Sequence, residues 1–160
     1  MNSKAWRSLA LALILSAVAA PLWAHHGDAG RYDEALVTLN GSVVELQMIN
    51  PHSIIVLDVP EGGKVTRWQA EMGGPNALAR GFGWTRNTLK PGDKITLVGR
   101  RVKSGAPYMN LTERAFVYMT DSKKLLFRTA NAELPAGIVV PEGMGAAPPP
   151  PPAAAGGAAY

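Results

Sequence analysis

Between about residues 31 and 130, apolar and polar positions alternate in short runs cut by Gly, Pro, Asn and Asp. A period of two over such short stretches predicts half-buried β-strands. Leu36 to Met48 (LVTLNGSVVELQM) is the first, with Gly41 expected as a bend or bulge. Ile49-Asn50-Pro51 breaks it, and His52 to Val59 is the second. Pro60-Glu61-Gly62-Gly63 reads as a hairpin loop into a third strand, Lys64 to Glu71, in which Val65, Arg67 and Gln69 alternate with Thr66, Trp68 and Ala70. Pro75 to Arg80 reads as a short helix, with Pro in its first turn and Gly81 past its end. A fourth strand, Lys94 to Lys103, follows the Lys90-Pro91-Gly92-Asp93 turn. Tyr108 to Met119 forms a bent fifth, and Leu125 to Phe127 a short closing strand.

Three strands, a short helix and two strands is the order of the OB-fold, a five-stranded Greek-key barrel. A long first strand with a glycine near its centre suits a curved strand shared by both halves of such a barrel. The expected class is therefore all-β: a small OB-like five-stranded barrel with one short helix between strands three and four.

The two ends of the chain follow different rules. Lys4 and Arg7 precede the apolar run Ser8 to Ala20, which is too short to cross a bilayer, and Trp23-Ala24 follows as a cleavage region. Residues 1–24 are expected to be an export signal, with no transmembrane segment left after cleavage. The mature domain then spans 25–134, and 135–160 is expected to be a disordered Pro/Ala/Gly-rich tail containing the Pro148–Pro152 run.

Cleavage changes the charge balance. The whole chain carries 16 Lys+Arg against 12 Asp+Glu, a net charge of +4. Both basic residues of the leader leave with it, so the mature surplus is mild and does not argue for nucleic acid. There is no Cys, which removes disulfides, thiolate metal sites and Cys nucleophiles.

All three histidines of the chain are His25, His26 and His52. Cleavage after Ala24 makes His25 the terminal residue, whose α-amine and ring nitrogen can chelate one metal together. A second imidazole completes a T-shaped set of three nitrogens, a histidine brace, which suits copper(II). His52 is the expected second imidazole and His26 its local substitute or fourth ligand. Met48 is a nearby thioether, and Asp28, Asp33 and Glu34 are carboxylates that could accept from a ligating ring. Against this, His52 could be a turn residue whose ring bonds backbone.

Other groupings are weaker. Gly73-Gly74-Pro75-Asn76 reads as a capping turn, lacking the Lys and spacing of a phosphate loop. Arg80, Phe82, Trp84 and Arg86 could form a stacking platform, although Trp84 packing the helix onto the barrel is the commoner arrangement. Glu45, Asp58 and Glu71 fall on different strands, and their spacing does not argue for a paired-carboxylate site.

Ala24-His25-His26, Tyr32-Asp33, Gly41-Ser42-Val43-Val44, Asn50-Pro51-His52, Trp68, Gly74-Pro75-Asn76-Ala77-Leu78, Gly83-Trp84, Leu89-Lys90-Pro91-Gly92-Asp93 and Gly99 occur together in this order. As a set they resemble a family of small exported bacterial proteins known only as a domain of unknown function. The resemblance runs from about His25 to Phe127. It implies a periplasmic single-domain β-protein in which the His-His start and the Asn-Pro-His turn recur. Gly27 stands where that family more often has Ser followed by Phe.

The function expected from these features is a periplasmic or secreted, non-enzymatic metal-binding protein, with copper as the metal and His25, His26 and His52 as ligands. The alternative is a cell-envelope scaffold that holds a glycan, a peptide or a partner protein on a barrel face or near Trp84. A copper-dependent oxidative enzyme ranks third.

Overall fold

The computed structural model describes residues 30–145. Seven strands and one helix follow in order. They are β1 (Tyr32–Gln47), β2 (Ile54–Glu61), β3 (Lys64–Glu71), α1 (Pro75–Phe82), β4 (Lys94–Val102), β5 (Tyr108–Asn110), β6 (Phe116–Met119) and β7 (Leu125–Arg128). Strands β1-β2-β3-β5-β4 form a sheet that closes on itself through a β1–β4 pairing, and β6 and β7 extend it from β4. The molecule is the expected OB-like five-stranded barrel, with its helix between the third and fourth strands. Among the described residues no helix is long and apolar enough to cross a membrane.

Closure depends on two long strands that change partner midway. In β1, Leu36 to Ser42 pair with β4 and Ser42 to Gln47 with β2. Gly41 stands at that corner, where a Cβ would lie 2.7 Å from the Asp58 carbonyl oxygen. The bulge expected at Gly41 falls instead between Val43 and Glu45. Gly41 is required for close approach of the β2 backbone, and Val44 absorbs the extra residue. In β4, Ile95 to Val98 pair with β6 while Arg100 and Arg101 pair with β5. Gly99 sits at the switch, and a Cβ there would meet both the Asn110 carbonyl oxygen and Leu111 Cδ2 at 2.6 Å.

The bent fifth strand is two strands. β5 runs parallel to β3, whereas β6 runs antiparallel to β4. Side-chain chemistry breaks the ladder between them. Asn110 Oδ1 accepts from the Thr112 backbone N–H at 2.9 Å and from its hydroxyl at 2.6 Å. Arg114 then takes a left-handed φ of 50° and donates its N–H to Asn131 Oδ1. The β2–β3 hairpin has Gly62 and Gly63 both at positive φ, as a two-residue turn matched to strand twist requires.

The interior is built from the inward positions of each strand, among them Ile55, Leu57, Trp68, Ile95, Leu97, Met109 and Val117. α1 begins at Pro75 after Gly74 and ends on left-handed Gly83, whose N–H returns to Ala79 O. Leu78 is buried beneath it. Trp84 follows, 2% exposed, with Nε1 donating to Leu126 O at 2.8 Å. Phe82 meets Phe127 with centroids 5.0 Å apart. Trp84 is thus a core residue that fastens the helix to β7, and no stacking platform exists there.

A second apolar cluster holds Val98, Phe116 and Leu125, covered by Leu134, Ile138 and Met144. Val139 forms a parallel bridge with Lys124, giving its N–H to Lys123 O and accepting from Leu125 N–H. Packing therefore continues past the expected boundary at residue 134, through Leu134, Ile138 and Met144. The reason is physical: β4 and β6 have apolar residues on both faces, and the segment after β7 covers the outer one. The expected leader (1–24) and the remainder of the expected tail (146–160) lie outside the described residues.

Candidate functional site

His52 sits in the connection between β1 and β2, which folds back onto the start of α1. The Asn50–Pro51 peptide is cis. Ser53 next to it donates its N–H to Gly73 O and accepts from Met72 N–H. Gly74 completes the fit, since a Cβ there would lie 2.8 Å from Pro51 O. The Asn-Pro-His turn and the Gly-Gly-Pro-Asn turn are therefore two halves of one packed corner.

The His52 ring does not bond backbone. Its Nδ1 lies 2.6 Å from Glu71 Oε1, and the other Glu71 oxygen accepts the Tyr108 hydroxyl. Register explains the meeting. Glu71 ends β3 opposite Ile54 on β2, and on its other side β3 pairs Gln69 with Tyr108 of β5. A ring N–H donates and a carboxylate accepts, so the contact is an Nδ1–H···Oε1 hydrogen bond, which leaves Nε2 as the ring nitrogen that Glu71 does not engage. The His52 side chain is 53% exposed and that of Glu71 15%.

Tyr108 links this trio to the start of the barrel. The Arg31 guanidinium carbon lies 5.7 Å from the Tyr108 ring centroid and 5.4 Å from that of Tyr32. Arg100 stacks on Tyr32 at 5.8 Å and pairs with Glu113 at 2.9 Å. The outer face of β3, β5 and β4 thus carries a continuous aromatic and charged patch. The chain enters the barrel at the edge of that patch.

Burial pushes the Tyr108 hydroxyl well above the ordinary tyrosine range, and the hydrogen bond to Glu71 adds to the shift. The neutral phenol is thereby favoured in the fold. Its contribution to stability is complete below the unfolded value, about 10, and is lost as pH rises beyond it. Denaturant unfolding of Tyr108→Phe, which cannot ionise, should show the effect. The gap in stability between wild type and variant is expected to narrow steadily above about pH 10. A gap constant to high alkalinity would contradict the burial of this hydroxyl.

The other sequence-derived site residues are placed as follows. His25, His26 and Asp28 lie outside the described residues. Glu34 pairs with Arg114 and Arg100. Met48 packs against the barrel core. The three strand carboxylates stand apart. Glu45 accepts from Gln47, and Asp58 is bound by Arg67 across the β2–β3 ladder at 2.9 and 3.0 Å. The guanidinium holds the exposed Asp58 carboxyl below its ordinary value. Among the described residues no group of three or more His, Asp or Glu could hold a metal by itself.

Sequence reasoning missed Tyr108 altogether and considered Glu71 only as a member of a carboxylate pair. The available signal was positional. Both are polar or amphipathic residues at strand ends, outward on the face that the His52 turn abuts. A separate open cleft of about 620 Å³ lies along the β1 bend, lined by Asn40, Ser42, Asp58, Val65, Lys94 and Asp121 among others. Lys94 Nζ donates to Ser42 Oγ there.

No curated protein matches this chain. A family model does match it, over residues 12–109, a span that contains His25, His26, His52, Glu71 and Tyr108. The chain belongs to the family of unknown function DUF6152.

Proposed function

We infer that this is a non-enzymatic copper-binding protein of the bacterial cell envelope. Its metal would be held by the ring and α-amine of His25, exposed by removal of residues 1–24, together with the ring of His52. His26 is the substitute or fourth ligand. The observation that carries the reading is the Glu71 carboxylate on His52 Nδ1. A metal-ligating imidazole characteristically gives its other N–H to a carboxylate, which fixes the ring and raises its basicity. This arrangement favours a ligand over a simple turn residue.

The described residues supply one imidazole, and the reading draws its other ligands from the preceding segment. His25 lies six positions before Arg31, a length of chain that spans about 20 Å at most when extended. Three nitrogens in a T favour copper(II) over zinc(II).

Titration of copper(II) into protein beginning at His25 tests the reading. His52→Ala should weaken binding at least about tenfold while leaving the unfolding midpoint nearly unchanged, because the ring is half exposed. Acidification should release the metal, since imidazole and amine ligate only when unprotonated. Equal affinity in wild type and variant would remove His52 from the site. The second reading, an envelope scaffold, is favoured by the 620 Å³ cleft, whose size suits a small polar ligand. It takes over if the native protein fails to bind copper.

A further inference from the structure

Strand register builds the cleft along the β1 bend. β1 pairs Asn40 with Thr96 and Ser42 with Lys94 on β4, and Thr120, just past β6, gives its N–H to Lys94 O. Thr96 lies beneath this row, 1% exposed. Its hydroxyl donates to Asn40 Oδ1 at 2.7 Å, so it accepts from the Thr120 hydroxyl 3.0 Å away. Lys94 Nζ donates to Ser42 Oγ. The protons left over are the Asn40 amide N–H pair, the Ser42 hydroxyl proton and the remaining Lys94 N–H groups. Thr120 Oγ1 is left to accept.

Charge is divided in the same way. Asp58 lines the cleft but has both oxygens on Arg67. Asp121 also lines it, is exposed, and makes no ion pair with Lys94, which turns to Ser42 instead. One cation and one unengaged carboxylate thus share a cleft of about 620 Å³. Such a pair suits a ligand with one charge of each sign and does not suit a dianion such as phosphate. Pro60 and Val65, opposite each other on β2 and β3, add apolar lining, and Val65 is 68% exposed.

We propose that this cleft binds a free aliphatic α-amino acid. Its carboxylate meets Lys94, Ser42 and Asn40, its ammonium meets Asp121 and Thr120, and its side chain lies against Pro60 and Val65. The inference gives a ligand class to the cleft of the second reading. It uses no residue of the His52 corner, so it holds or fails independently of copper.

Titrations of the full chain with three probes test it: L-leucine, 4-methylpentanoate, which lacks the ammonium, and 3-methylbutylamine, which lacks the carboxylate. Leucine should bind about tenfold or more tighter than either truncated probe. Lys94→Met should abolish the advantage of leucine over 3-methylbutylamine and keep its advantage over 4-methylpentanoate. Asp121→Asn should do the reverse. Both side chains are exposed, so unfolding midpoints should stay nearly unchanged. Leucine that binds no tighter than the truncated probes, or advantages that survive both substitutions, would overturn the proposal.

Discussion

Gly99→Ala is expected to destabilise the barrel by about 2 kcal/mol or more, a large share of a small domain's stability. The added methyl would sit 2.6 Å from the Asn110 carbonyl oxygen and 2.6 Å from Leu111 Cδ2. Leu111 is fully buried, and its N–H is bonded to Glu71 O, so neither neighbour can swing away. Relief requires β4 and β5 to separate where β4 changes partner. Gly81→Ala is the control. It lies in α1 with nothing within 4 Å of a new Cβ, and there Ala is favoured over Gly by up to about 1 kcal/mol. Denaturant midpoints should therefore move in opposite directions for the two substitutions. A Gly99→Ala protein as stable as wild type would show that β4 and β5 are not packed as described.

Ending the chain at Glu133 is expected to cost about 3 kcal/mol. The loss removes the apolar cover of Leu134, Ile138 and Met144 from Val98, Phe116 and Leu125. Half-burial of a large aliphatic side chain is worth about 1 kcal/mol at roughly 25 cal/mol per Å². The two backbone hydrogen bonds of Val139 go as well. Ile138→Asp within the full-length chain should reproduce a part of the loss, which ties the effect to this contact. Chemical denaturation of the three proteins decides it. A truncated chain with an unaltered midpoint would show that the segment contributes nothing to the body.

Strand order, the Gly62-Gly63 hairpin and the short helix were legible because each has a local cause. Alternation marks β3, an apolar run between turn residues marks β2, paired glycines force the turn, and Pro75 opens α1, although Gly81, expected past its end, lies inside a helix that runs on to Gly83. What was not legible has a non-local cause. Gly41 looked like a bulge because glycine often marks one, but its role is set by the Asp58 carbonyl on another strand. The break in the fifth strand depends on Asn110 capping Thr112 and on Asn131, seventeen residues beyond Arg114. Leu134, Ile138 and Met144 follow no period, so their apolar character could not be assigned to an element. They are paired with the outer face of β4, whose own alternation hides behind continuous burial. His52 was singled out in the sequence, while Glu71 and Tyr108 meet it only through the register of β2, β3 and β5.

The central claim is that one copper ion is shared between the terminus created at His25 and the ring of His52. The most direct measurement adds a single alanine before His25 and compares copper(II) affinity with that of protein beginning at His25. The extension keeps every side chain and moves only the α-amine away from the imidazole. The account predicts that affinity falls by at least about tenfold and that the copper spectrum changes, because one of three nitrogens is lost. Identical affinity and an identical spectrum in the two proteins would contradict it.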